Sequence, residues 1–202
     1  MLQRFRLAIA ALSLIVLLPS VQAAAEPTPT EEIQKYYDVL YDSWQRADEL
    51  GFKGRFDLIE PAIRQTFNMG YIAQFTVGRY WKHLNDDQKA GLTEAVTRLS
   101  AATYASRFDK YSGEKFVILD QKETSRGDLL VLTNIIDSKG KPVDINYLMR
   151  KDEEAWRIVD IHLKGTISEL ATRRSEYMSV MKRQGYDGLM SAIDNRIAAL
   201  AD

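Results

Sequence analysis

Few side chains in this sequence have the types and spacing that catalysis or metal binding requires. The chain of 202 residues contains no cysteine and two histidines, His83 and His162. Disulfides, thiolate metal sites and cysteine nucleophiles are therefore excluded. A zinc site would need carboxylates at helical or hairpin spacing beside a histidine, and neither histidine has such a set. The sequence thus predicts no metal site and no cofactor.

One group of residues leaves an enzyme open as an alternative. Asp160 and His162 alternate along a predicted strand, so their side chains share a face, and Tyr147 could join them as an acid or a base. A histidine beside an aspartate on a strand is more often a structural polar pair. The sequence also lacks the glycine-rich phosphate-binding motifs and the nucleophile elbow of hydrolases. We therefore expect no enzyme, unless these three side chains face one cavity.

Cations near the end of the chain leave a third possibility. Arg173, Arg174, Lys182 and Arg183 lie on a predicted helix and could form a docking surface of a protein that carries no cargo. Charged residues at this spacing more often form a solvated helix face. A solid core without a cavity would favour the docking protein.

The residues discussed so far must be positioned by a fold whose first half is predicted to be helical. Thr28 and Glu31 match a capping box, so a helix begins here, and Gly51 is expected to end it. Asp57 followed by Glu60 repeats the capping pattern and is expected to begin the next helix.

Breaks and a second capping box divide the rest of the helical half. Gly70 and Gly78 interrupt the apolar pattern, which indicates short helices joined by bends. Asn85 with Gln88 caps a longer helix that runs to about Tyr111.

The apolar period then changes from that of a helix to that of a strand. Four runs of alternating residues are separated by short turn sequences and predict a four-stranded antiparallel meander over 115–123, 128–137, 141–151 and 155–163. The run from Leu129 to Ile136 is apolar on both faces, so both faces should be covered.

Helices are predicted again after the sheet. Thr166 or Ser168 can cap a helix that runs to about Arg183, and Gly185 separates it from a last helix ending near Leu200. Helices, then a meander, then helices packed on the sheet make the fold class α+β.

The N-terminus carries the features of a cleavable signal peptide. Arg4 and Arg6 precede an uncharged apolar stretch over 7–18, and small residues up to Ala23 follow Pro19. The stretch is about half the length that spans a bilayer, so it is not expected to stay as an anchor. We expect cleavage after Ala23, which divides the chain into a signal peptide, 1–23, and a single exported domain, 24–202.

The charge balance argues against nucleic acid as a partner. The formal net charge is −1, and loss of the two arginines of the signal peptide makes it about −3. Acidic and basic residues alternate without a basic stripe, which nucleic-acid binding proteins usually have.

Several short segments, in this order and spacing, resemble those of one protein family. They are Arg55-Phe56-Asp57, Gly78 to Trp81, Ala102 to Ala105 with Phe108, Tyr147-Leu148-Met149, Trp156 to Ile161, Gly165 with Ser168, Arg173-Arg174, and Gly185 to Leu189. From residue 55 onward the chain thus resembles the Mla-type periplasmic phospholipid-binding family, the MlaC-like or toluene-tolerance family. The segments 103–108 and 113–116 are most similar to its hopanoid-associated branch, HpnM.

The resemblance implies a soluble periplasmic carrier. Such a carrier would hold the acyl chains of a phospholipid or hopanoid in an apolar pocket between the helices and the curved sheet. It would exchange lipid with an inner-membrane ABC transporter complex and an outer-membrane lipoprotein complex. We expect it to act as a monomer.

Ten apolar and aromatic residues are expected to bind the lipid. Periodicity alone does not separate residues that line a pocket from residues of the core. The expected set is Phe75, Trp81, Leu99, Tyr104, Phe108, Val131, Ile135, Ile145, Tyr147 and Ile158.

Overall fold

Helices precede and follow one antiparallel sheet in the computed structural model, which describes residues 27–152 and 155–201. The helices of this part are α1 (Pro29–Gln45), α2 (Ala47–Thr66), α3 (Met69–Val77), α4 (Asp86–Arg107) and α5 (Glu169–Ala201), and a 3-10 segment (Gly78–His83) joins α3 to α4. The strands are β1 (Lys115–Glu123), β2 (Leu129–Ile136), β3 (Pro142–Lys151), β4 (Trp156–Leu163) and β5 (Ile167–Ser168). The α+β class is confirmed. The predicted signal peptide and its cleavage site lie outside the described residues.

Both predicted capping boxes are present. At the start of α1, the Glu31 amide donates to Thr28 Oγ1 at 3.3 Å and the Thr28 amide donates to the Glu31 carboxylate at 2.7 Å. At the start of α4, the Gln88 amide donates to Asn85 Oδ1 at 2.8 Å and the Asn85 amide donates to Gln88 Oε1 at 3.1 Å. These polar contacts satisfy amides that the helices cannot pair themselves.

Two boundaries predicted between the first helices are wrong. Helix α1 ends at Gln45, before the predicted Gly51, and Gly51, whose φ is 59°, lies at a kink where two helical segments of α2 meet. Asp57 lies in the interior of α2, where its carboxylate pairs with Lys53 one turn earlier. The pattern around Asp57 fits a cap and an ion pair along a helix equally well, so the sequence could not decide between them.

The later breaks are only partly where the sequence placed them. Gly70 does not interrupt a helix, because it lies in the first turn of α3. This helix begins after Asn68, whose Oδ1 accepts from the Tyr71 amide at 2.9 Å. Gly78 does end α3, with a φ of 51°. Helix α4 ends at Arg107, before the predicted Tyr111.

The sheet is a meander with the strand order β1-β2-β3-β4-β5. The four predicted strands are present with bounds within one residue of the prediction, but the sheet has five strands, so the predicted number is wrong. The fifth strand is two residues long: after a turn at Lys164, Ile167 and Ser168 pair with Leu163 and His162. A strand this short leaves no alternation in the sequence.

Helices lie on both faces of the sheet. Tyr147 of β3 contacts Tyr37 of α1, with ring centroids 5.8 Å apart. Its neighbour Leu148, which points to the opposite face, lines a cavity with Tyr71 and Phe75 of α3. On β2, the α1 side is fully buried at Val131 and Thr133, whereas the other side is only partly buried.

A cluster of tyrosines fills the space between α1, α4 and the sheet. Tyr36 packs edge-on against Tyr104 at 5.6 Å, and the hydroxyl groups of Tyr37 and Thr133 are hydrogen bonded at 2.5 Å. Among residues 27–152 and 155–201, the buried Tyr36 hydroxyl has no hydrogen-bond partner. Burial raises the pKa of Tyr36, Tyr104 and Tyr147, since the phenolate form would lose its hydration.

A buried arginine connects α2 to the end of α4. Arg55 of α2 is 7 % exposed, and its guanidinium donates to the carbonyl of Ala105 at 2.8 Å and to the carbonyl of Ala47 at 2.9 Å. Ala105 lies in the last turn of α4, where carbonyl groups lack helical partners. Arg55 therefore fixes the end of α4 relative to α2.

Two helical segments of α5 meet at a kink at Gly185, whose φ is 68°, where the sequence predicted that one helix ends and the last one follows. At its start, the Ala171 amide donates to Ser168 Oγ at 2.9 Å, so Ser168 is the predicted cap. Within residues 27–152 and 155–201, no helix is both long and apolar enough to span a bilayer.

Replacing Arg55 with methionine should destabilise the fold. The change removes two hydrogen bonds from a charged donor and leaves two carbonyls without that partner, so the free energy of unfolding should fall by about 3 kcal/mol. Urea unfolding measures this value. Arg183→Met, at an exposed position of α5, is the control and should change it by about 0.5 kcal/mol or less. Equal losses in the two variants would contradict this role of Arg55.

The buried tyrosines should make the fold sensitive to alkaline pH. The pKa of these tyrosines is higher in the folded protein than the usual value of 10. Above pH 10 the unfolded chain therefore loses these protons while the folded protein keeps them, so the free energy of unfolding falls as the pH rises. The free energy of unfolding should fall above about pH 10 by about 1.4 kcal/mol per pH unit for each tyrosine that stays protonated in the fold. Urea unfolding at a series of alkaline pH values measures the slope.

Tyr36→Phe provides the matched variant, because it keeps the ring and removes a hydroxyl that has no partner in the described part of the chain. In this variant the free energy of unfolding should fall less steeply above pH 10, by about 1.4 kcal/mol per pH unit, the contribution of one tyrosine. An unchanged slope would show that Tyr36 does not stay protonated in the fold.

Candidate functional site

A cavity of about 300 Å³ lies between α4, the strands β2, β3 and β4, and the start of α5. We call it the main cavity. Its walls are mostly apolar, and a volume of this size is within the range of small-molecule sites.

Six of the ten residues expected to bind lipid line the main cavity. They are Tyr104 of α4, Phe108 directly after α4, Ile135 of β2, Ile145 and Tyr147 of β3, and Ile158 of β4. The strand residues come together because alternation points them to one face and the pairing of the strands brings them side by side.

The other four expected residues lie elsewhere. Val131 is fully buried in the core, and Trp81 lies in the 3-10 segment, packed against the core. Leu99 lines a groove between α4 and α5, and Phe75 lines a cavity on the other side of the sheet.

Several lining residues were missed by the sequence. Trp44, Phe67 and Ile72 come from α1, from the residue after α2 and from α3, and Arg107 and Arg173 come from α4 and α5. The two arginines had a signal: Arg107 follows Tyr104 by three residues, and Arg173 follows Leu170 by three, so each lies on the helix face of a lining residue.

Polar contacts behind the aromatic walls hold them in place. The Trp44 indole donates to the Lys110 carbonyl at 2.8 Å, and its ring packs on Phe108 at 4.6 Å. Next to Phe67, the Asn68 amide donates to the carbonyl of Ile158 at 2.9 Å. These hydrogen bonds attach Trp44 of α1 to the chain after α4, and the residue next to Phe67 to β4.

Asp160 has a structural role. Its carboxylate accepts from Ser168 Oγ at 2.6 Å and from the Leu170 amide at 3.0 Å, and His162 Nε2 lies 3.3 Å away. Asp160 therefore fixes the start of α5 to β4. Asp160 lines both the main cavity and the cavity on the other side of the sheet, whereas Tyr147 lines only the first of these two and His162 only the second. The three side chains do not face one cavity, so the enzyme alternative loses its geometric basis.

The neighbouring arginines on α5 have different roles. Arg174 donates to the Phe75 carbonyl at 2.5 Å, and its guanidinium lies 4.7 Å from the centre of the Phe75 ring. The backbone φ of 51° at Gly78 favours glycine there, and a Cβ atom at this position would lie 2.7 Å from the guanidinium, which would have to shift. Arg174 thus attaches α3 to α5, whereas Arg173 lines the main cavity.

The groove between α4 and α5, which we call the helix groove, has a volume of about 480 Å³. It shares four lining residues with the main cavity: Thr103, Arg107, Glu169 and Arg173. We call these four the shared rim. A docking protein without cargo would be favoured by a solid core. These two cavities therefore argue against that alternative. Of the predicted docking cations, Lys182 and Arg183 are exposed.

Among residues 27–152 and 155–201, no three histidine or acidic side chains are close enough together to hold a metal ion.

Comparisons with known proteins identify relatives over most of the chain. The family model described as MlaC protein matches residues 34–195. The intermembrane phospholipid transport system binding protein MlaC of Haemophilus influenzae is 24 % identical over 177 residues, which are 84 % of this chain and 82 % of the relative. A phospholipid-binding protein of Ralstonia solanacearum, solved in complex with a phospholipid, has the same fold with a TM-score of 0.73. It is 20 % identical, and the match covers 85 % of this chain and 97 % of that one. The chain belongs to the MlaC protein family.

Proposed function

We propose that this protein is a periplasmic carrier that holds the acyl chains of a phospholipid in the main cavity. The observation that carries the proposal is the cavity itself, whose helix and strand walls contribute Phe108, Ile135, Ile145 and Ile158. The name of the Haemophilus relative and the phospholipid in the Ralstonia complex support the same class of cargo.

The free energy of transfer requires an enclosed apolar site. Burial of one methylene group is worth about 0.8 kcal/mol, so a lipid with roughly 30 methylenes would lose about 24 kcal/mol on entering water. A carrier has to replace nearly all of this burial. Since the bilayer supplies the same burial, transfer between membrane and cavity can be close to neutral in free energy, and the direction must come from partners.

The partners, location and exact lipid are part of the proposal. We expect exchange with membrane-bound components of an ABC transport system, after export and cleavage behind Ala23. The domain that carries lipid is residues 24–202. A hopanoid is the second candidate cargo, because segments 103–108 and 113–116 resemble the hopanoid-associated branch.

Protein purified from its own cells under native conditions tests the proposal. Native mass spectrometry and lipid extraction should detect one bound lipid species, and its mass distinguishes a phospholipid from a hopanoid. N-terminal sequencing of the same sample should begin at Ala24. Protein that is empty when purified, and that stays empty after incubation with phospholipid or hopanoid vesicles, would overturn the carrier.

Filling the main cavity should block loading without unfolding the protein. Ile145→Trp places an indole where the acyl chains should lie, so lipid bound after incubation with phospholipid vesicles should fall about tenfold, the equivalent of about 1.4 kcal/mol. Thermal unfolding and mass spectrometry of the same samples separate loss of cargo from loss of fold.

Leu119→Trp is the matched control, because Leu119 is 57 % exposed on β1 and does not line the main cavity. This variant should load normally. Val131→Trp is unsuitable, because Val131 is fully buried in the core and an indole there would overpack it. Normal loading of a folded Ile145→Trp protein would contradict the placement of the acyl chains.

A further inference from the structure

We propose that Arg107 and Arg173 bind the phosphate of a phospholipid head group where the main cavity meets the helix groove. This inference rests on the proposed function and names the chemical class that the carrier selects: a lipid with a phosphodiester rather than an uncharged lipid.

The two arginines come from different helices and converge on the shared rim. Arg107 is at the last residue of α4, and Arg173 is in the second turn of α5. Both line the main cavity and the helix groove. Among the described residues, neither side chain has an ion-pair partner within 4.0 Å, in contrast to Arg98 on α4, which pairs with Asp194.

The charge of the shared rim is positive. Two arginines and one acid, Glu169, give it a formal charge of +1. Asp160, which also lines the main cavity, has its carboxylate hydrogen bonded to Ser168 and to the amide of Leu170. The formal charge of the whole main-cavity lining, Asp160 included, is zero, so the surplus cation is confined to the shared rim, where the phosphate of an amphipathic lipid would lie.

Guanidinium groups suit phosphate in particular. Each presents a planar fork of donors that matches two phosphate oxygens, and such charge-assisted hydrogen bonds are stronger than neutral ones. A lipid with its acyl chains in the main cavity would leave its phosphodiester near the rim. An uncharged lipid of the same chains would gain the apolar contacts alone.

The charged residues of the shared rim affect the pKa of Tyr104, which lines the main cavity. Burial raises the pKa of Tyr104, Arg107 and Arg173 oppose this shift, and Glu169 adds to it. The charges of the rim therefore reach the aromatic wall of the main cavity.

A competition between two lipids with the same acyl chains tests the inference. Delipidated mature protein is incubated with phosphatidylcholine vesicles that contain diacylglycerol, and the bound ratio of the two lipids is measured by extraction and mass spectrometry. The double variant Arg107→Gln/Arg173→Gln should lower the ratio of bound phosphatidylcholine to diacylglycerol about tenfold. Its total capacity for diacylglycerol should be unchanged.

The control is Arg98→Gln/Arg183→Gln, which makes the same charge change on the same two helices at positions that do not line either cavity. This control should keep the wild-type ratio. Circular dichroism and thermal unfolding check that all variants are folded. An unchanged ratio in Arg107→Gln/Arg173→Gln would overturn the phosphate site and leave the carrier intact.

Two further outcomes are distinguishable. If the wild-type protein takes up neither lipid, the proposed function and the inference both fail. Inorganic phosphate is the probe for a free anion: saturable binding that the double variant loses, in protein that takes up no phospholipid, would assign the arginines to free phosphate and overturn the head-group site.

Discussion

An open apolar cavity removes packing contacts from the middle of the protein, so its walls must be fixed by contacts made elsewhere. Three charged side chains, of which Asp160 also lines the cavity, satisfy this constraint. Arg55 holds the end of α4 through the carbonyl of Ala105, Asp160 holds the start of α5, and Arg174 holds α3 through the carbonyl of Phe75. Each joins a helix end to a neighbouring element, and together they keep α4, α5 and β4 in place around the main cavity.

The same constraint explains where polar and apolar groups lie in the cavity. Helices α1 and α4 and the sheet come together at the tyrosine cluster, where Tyr36 of α1 and Tyr147 of β3 are fully buried. Towards the ends of α4 and β4 they enclose the main cavity, and the charged residues of the shared rim lie where this cavity meets the helix groove. A lipid held with its chains on the apolar walls and its phosphate at the rim fits this polarity.

The elements were more predictable than the cavity. The strands follow from alternation and turns, and the helix starts at Thr28 and Asn85 follow from capping boxes, because these signals are local. The predicted end of α1 was wrong because this helix already ends at Gln45 and the kink at Gly51 falls within α2. Strand β5 was missed because it is two residues long. For the site, alternation placed Val131 and Ile135 on one face, but only the positions of the helices decide that Val131 is covered and that Ile135 faces a cavity. Arg107 and Arg173 are 66 residues apart in the chain, so their convergence depends on the packing of α4 against α5.

The presence of acyl chains in the main cavity is tested most directly by photo-crosslinking. A phospholipid with a carbene precursor on its acyl chain is transferred from vesicles to the delipidated protein, irradiated, and the labelled residues are mapped by mass spectrometry. The structure predicts labels on Tyr104, Phe108, Ile135 and Ile145, which line the cavity, and none on the exposed Leu119. Labels confined to the exposed surface, with the lining residues unlabelled, would contradict a carrier that encloses its lipid here.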